Sequence, residues 1–183
     1  MTSLNLLTFS KPTKTHYLIK DTKSKVSVCR IETMTDELRR KLDARPDVFS
    51  IGIDPGKNFG VSLLRHDFSM IMNGVLDDSV YTLREMAFWM AQSLVQSTSP
   101  SLTVSIVEGA SYGDRFGQVK LAEIRCGFEL GFSELGLPVV IVAPKTPRKT
   151  VFGNGDIVAM DVWSQINHNA SDALCLSLYP FYN

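Results

Sequence analysis

The chain has 183 residues, 44% hydrophobic and 21% charged, with 19 Lys/Arg balancing 19 Asp/Glu. That size and mix suit one globular domain of ordinary size with an appendage. No apolar run approaches the ~20 residues that span a bilayer, and the opening MTSLNLLTFSKPTKTH breaks at Lys11-Pro12, too early for a signal peptide.

Residues 1–45 hold ten Lys/Arg against five Asp/Glu, which leaves them at +5 and the remainder at −5. A basic arm on an acidic body suits a polyanionic partner and a cation site, with a solubilising tail as the plain alternative. Within this segment THYLIK and KVSVCRI alternate like strands around DTKSK. TDELRRKLDAR then reads as a helix capped by Thr35 or Asp36 and ending before Pro46. Pro46-Asp47 is the expected boundary between a 1–45 extension and a 46–183 domain.

DVFSIGI, GVSLLRH and SMIMNGVL follow as a three-stranded meander. DSVYTLREMAFWMAQSLVQS places Val80, Leu83, Met86, Ala87, Met90 and Leu94 at helical spacing. LTVSIVE is a short strand ending in Glu108, and a second helix is expected over roughly 117–136, with Leu121, Ile124, Phe128 and Phe132 on its apolar face. LPVVIVA is a strand, PKTPRKTVFGNG a basic loop broken by glycines, and NASDALCLSLY a closing helix. The order β-β-β-α-β-α-β-α predicts a mixed sheet with helices on its faces. Cys29, Cys126 and Cys175 form no CxxC pair; apolar neighbours at Cys126 and Cys175 predict buried, reduced thiols and a reducing cytoplasm.

Asp54 and Glu108 each end an apolar strand just before a glycine-containing loop, so neighbouring strands would project both from one sheet edge. Asp172 lies in the first turn of the last helix. Oxygen-only donors suit Mg²⁺ or Mn²⁺, and two such ions would activate a water and stabilise the leaving oxygen in phosphodiester cleavage. Without a cation, three buried like charges repel and at least one should protonate. Taken singly, each acid has a plainer reading: a turn residue before Pro55-Gly56, a solvated strand end, and a helix-start charge.

IGIDPGKNFGVSLL, VSIVEGASYG, VKLAEIRCGFELGFSELGLPVVIVAP, RKTVFGNG and NASDALCLSLY resemble, in order and character, the RuvC-type Holliday junction resolvases of the RNase H-like superfamily. The resemblance covers about residues 48–180. It implies an α/β, RNase H-like fold with a five-stranded mixed sheet flanked by helices, and a homodimer built through the helix at 117–136. It also implies Mg²⁺- or Mn²⁺-dependent paired nicking of four-way DNA junctions, with two ions per site, in the cytoplasm of a bacterial cell or phage-infected host. Asp54, Glu108 and Asp172 match three of the four metal-binding acids. Gly127 and Gly131 permit close approach either at the dimer contact or against the sheet.

The fourth position departs from the family: Asn169 stands where Asp or His is usual. Asn169 ligates weakly, or His168 or Asp161 replaces it, or catalysis has decayed. DIVAMDVWSQINH is also shorter than the family's basic stretch, and the +5 extension is expected to compensate. Lys145, Arg148 and Lys149 are the best phosphate contacts; Arg115, Lys120 and Arg125 are weaker candidates. Tyr112 falls where the family carries an aromatic that stacks on opened bases, one residue out of register. Two other classes remain: a junction-binding module without catalysis, and a fragment of an actin-like ATPase or sugar kinase. The latter fold usually needs more than roughly 300 residues and a second phosphate loop.

Overall fold

The computed structural model describes residues 25–30, 36–46, 48–56, 58–64, 68–75, 83–96, 103–109, 115–162 and 168–183. Its strands are β1 (Lys25–Arg30), β2 (Phe49–Asp54), β3 (Asn58–Leu64), β4 (Phe68–Val75), β5 (Thr103–Glu108) and β6 (Val139–Val142). Its helices are α1 (Asp36–Asp43), α2 (Leu83–Gln96), α3 (Arg115–Glu134), α4 (Lys145–Phe152), α5 (Ala159–Val162) and α6 (His168–Tyr182). The strands form one mixed sheet in the order β1-β4-β3-β2-β5-β6. The meander β2-β3-β4 is antiparallel, and β5 and β6 run parallel to β2. Parallel neighbours need a crossover, which α2 and α3 provide.

The expected sheet had five strands, and among the described residues it has six. Five of them are the anticipated ones; the sixth is β1, which pairs antiparallel with β4 from Lys25↔Asn73 to Arg30↔Phe68. Its alternating KVSVCR covers the hydrogen-bonding edge that β4 would otherwise expose. THYLIK lies outside the described residues. The basic segment therefore contributes to the fold, and Leu42 of α1 packs with Ala170, Leu174, Leu178 and Phe181 of α6.

A period of two divides β2 and β3 between two layers. Ile51, Ile53, Phe59 and Val61 face the main core with α2 and α3. The intervening Ser50, Gly52, Gly60 and Ser62 face α6, where a Cβ on Gly52 would run into the Ala173 carbonyl oxygen and one on Gly60 into that of Asn169. Ser62 and Ser177 share a 2.8 Å hydrogen bond across this contact. Helix α6 is buried on every side from Ala170 to Leu178, as expected of a helix apolar around its whole circumference.

Gly127 and Gly131 serve neither of the contacts foreseen for them. They let α3 approach α2, at the Arg84 carbonyl and Ala87 and at Phe88 and Ala91 respectively. Cys175 is buried, but Cys126 is exposed, because it lies on the α3 face turned away from α2. Among the described residues, no helix is long and apolar enough to cross a membrane.

Replacing Gly52 by alanine should force α6 off the sheet and cost about 1–3 kcal/mol or more. Equilibrium urea unfolding measures this, and an unchanged midpoint would show that the close approach is not required.

Candidate active site

Asp54 and Glu108 are the last residues of β2 and β5. The strands are parallel neighbours in a register that pairs Ile53 with Val107, so the next residue of each is an acid. Val107 faces the main core, so Glu108 projects to the same face as Asp54, toward α6. With strands ~4.8 Å apart, adjacent carboxyls meet. Asp54 holds its proton well above the usual carboxylate range: burial is the main cause, followed by its hydrogen bond to Glu108 and the charges of Glu108 and Asp172. Arg148 opposes the shift.

Asp172 sits in the second turn of α6 rather than the first, and is only 6% exposed. Arg148 approaches its Oδ1 with Nη2 at 2.9 Å and Nε at 3.1 Å. His168, one turn earlier, places Nδ1 3.3 Å from Oδ2. Burial pushes the neighbouring Cys175 thiol up to about 12, with the negative charges of Asp172 and Glu108 adding to the effect. The three acids thus act electrostatically on one small region.

Asp54 and Glu108 also close one end of a cleft of about 190 Å³ whose other wall is α3, through Gln118, Leu121 and Arg125. Arg125 pairs along the helix with Glu129 at 3.2 Å.

The donor chemistry fits a hard divalent cation: every acid offers oxygen, and burial without a cation leaves Asp54 protonated. The ligands are not gathered, however. Among the described residues, no group of three His, Cys, Asp or Glu side chains is arranged to hold a metal ion. Both oxygens of Asp172 are engaged, by Arg148 and His168.

The remaining sequence candidates are spread around this centre. The backbone carbonyl of Asn169 lies over Gly60, and His168, one residue earlier, is the side chain that reaches Asp172. Asp161 is exposed on α5. Lys145 pairs with Asp156 at 2.5 Å, and Lys149 is exposed. Lys120 is exposed on α3. Tyr112 lies outside the described residues, and so does the side chain of Arg115.

The expected basic loop at 145–152 is instead helix α4, closed by Gly153 with φ 78°. Pro147 is tolerated because the first turn of a helix has amides without intrahelical acceptors. The glycine that looked like a loop former is the left-handed stop after the last turn. That helix aims Arg148 at α6.

This architecture has solved counterparts. The RuvC structure of Thermus thermophilus superimposes with a TM-score of 0.57 at 19% identity, covering 73% of this chain and 94% of that one. The fold is RuvC-like. A second structure, T. thermophilus RuvC in complex with Holliday junction substrate, gives a TM-score of 0.56 at 15% identity over the same shares. No protein-family model and no curated protein matches the sequence. The RuvC-like sheet explains why acids at positions 54 and 108 become neighbours although 54 residues separate them.

The raised pKa of Asp54 fixes a sign. In the cation-free protein its ionisation opposes folding, a cost absent below the ordinary value of 3.8 and growing as pH rises through the folded value. Asp54→Asn should therefore raise the melting temperature by several degrees at pH 8 in EDTA, with the gain vanishing toward pH 4. A gain independent of pH would contradict this assignment.

Proposed function

We propose that this protein is a divalent-cation-dependent endonuclease that nicks branched DNA, four-way junctions foremost. The observation that supports the reading is a RuvC-like fold in which Asp54 and Glu108 end neighbouring parallel strands and the charge of Asp172 acts on Asp54. Asp54, Glu108 and Asp172 would hold the cation, with Asn169 as a neutral fourth donor. When bound, Mg²⁺ or Mn²⁺, as one ion or two, supplies Lewis-acid activation of water and neutralises the leaving oxygen. Asp54, whose pKa is raised chiefly by burial, would bind the cation as the carboxylate and release any proton it holds. Lys149, exposed on α4, and Lys145, once freed from Asp156, would contact backbone phosphates, which orient the duplex without reading sequence.

The second reading, a junction-binding module without catalysis, is favoured by Asn169 and by the engagement of Asp172. A synthetic four-way junction incubated with Mg²⁺ or Mn²⁺ discriminates between the two. Paired nicks should appear, and Asp54→Asn, Glu108→Gln and Asp172→Asn should each reduce them at least about 100-fold, beyond the effect typical of outer-shell partners. Junction binding without metal-dependent nicking would establish the binding module instead.

We also propose that the protein acts as a homodimer paired through α3. Val119 is 64% exposed and Leu130 45%, and Ala122 and Cys126 lie exposed between them at three- and four-residue spacing. A two-fold axis sets a central residue against its own copy, and Cys126 is the middle of 117–136. Mild oxidation should give a disulfide-linked dimer that Cys126→Ser abolishes, and Leu130→Arg should halve the mass in sedimentation. A wild-type monomer at micromolar concentration would end this proposal.

A further inference from the structure

Arg148 is expected from the sequence to face DNA, yet the structure turns it inward. Val151, three residues on, packs against the α6 cluster that contains Ala170 and Leu174, and Pro147 is buried. Residues three apart share a helix face, so these contacts also turn Arg148 toward α6. Its side chain is 20% exposed and meets the carboxylate of Asp172, itself 7% exposed. Two guanidinium nitrogens, Nη2 and Nε, converge on the single oxygen Oδ1.

With two guanidinium nitrogens on one oxygen, a divalent cation would compete with Arg148 for the lone pairs of Oδ1. Both are positive, and at ~4 Å in a partly buried site their repulsion is several times what it would be in water. We propose that Arg148 is an internal counter-cation of the acidic site: it holds Asp172 away from Asp54 and Glu108, and must withdraw before the three acids can close on a divalent cation. The proposal rests on the reading of those acids as a cation site. It gives Arg148 a positioning role through Asp172, and it accounts for the carboxylates lying close together without forming a metal-holding group. Metal entry then exchanges one cation for another. By linkage, whatever binds the withdrawn guanidinium strengthens metal binding by the same factor.

The experiment is a Mn²⁺ titration of metal-free protein, followed by the electron paramagnetic resonance signal of the free ion. The set comprises wild type, Arg148→Gln, Arg148→Lys and Asp54→Asn, with folding checked by thermal melts. Arg148→Gln removes the charge and should tighten Mn²⁺ binding about tenfold or more. Arg148→Lys, which retains it, should stay within about threefold of wild type. A purely structural arginine would instead give weaker or unchanged binding in Arg148→Gln. That result, with binding still lost in Asp54→Asn, overturns the role of Arg148 and leaves the cation site standing. Absence of Mn²⁺ binding in every protein overturns both.

A measurement on the wild type avoids any folding defect in the variants. The Arg148 Nε–H resonance should shift and exchange faster with solvent as Mg²⁺ is added. A resonance unmoved at saturating Mg²⁺ overturns the proposal.

Discussion

The placement of one helix against two strands governs the rest of the molecule. Helix α6 lies so close to β2 and β3 that Gly52 and Gly60 have no room for a Cβ. Ser62, Ala173 and Ser177 at this contact are also small. This packing has a polar cost. Ser62 and Ser177 satisfy one another, and Ser177 also donates to the Leu174 carbonyl at 2.9 Å. Ser50 Oγ is buried without a partner among the described residues, a loss on the order of 1–3 kcal/mol. Larger apolar residues would avoid that loss but move the helix outward, and Asp172 with it. The small-residue seam therefore sets the distance between the helix-borne acid and the two strand-borne acids.

That distance makes charge the next constraint. Three carboxyls in a partly desolvated region cannot all ionise at ordinary cost. Two features answer this: the pKa of Asp54 is raised, chiefly by burial, and Asp172 takes Arg148 and His168 as partners. Under the proposed function, an outside cation would take over the neutralisation that these internal partners supply. The helix α4 that carries Arg148 is attached to α6 through Val151, so the internal partner belongs to the same packed unit as the acid it neutralises.

Much of this was legible in the sequence. The alternation Ile51, Ile53 against Ser50, Gly52, Asp54 assigns two faces to β2, and the final acids of two apolar strands follow from strand ends meeting loops. Side-chain direction across sequence-distant elements was not legible. Nothing local distinguishes Gly127 and Gly131 facing α2 from the same glycines facing a second chain. Glycines and Lys145 around Arg148 suggest a phosphate-binding loop, whereas Pro144 and Gly153 in fact bound a helix. His168 reaches Asp172 because residues four apart share a face, a spacing visible in the sequence. The sixth strand was missed as part of the sheet because edge pairing depends on what lies beside β4, which no local pattern records.

The basic segment can now be divided by what its charges do. Arg45 donates from Nη1 to the Pro180 carbonyl at 2.5 Å, and the Lys41 ammonium sits 4.3 Å from the centre of the Tyr182 ring. Both act at the C-terminal end of α6, where helix carbonyls lack partners and cations are favoured. Leu42 adds an apolar anchor between them. Part of the +5 charge is therefore structural, securing the far end of the helix whose near end carries Asp172. The polyanion contact expected of this segment is then to be tested on Lys11, Lys14, Lys20 and Lys23, upstream of β1 in the sequence. Removing all of residues 1–45 would confound that role with loss of β1 and α1, so a truncation that stops before Lys25 is the one that isolates it.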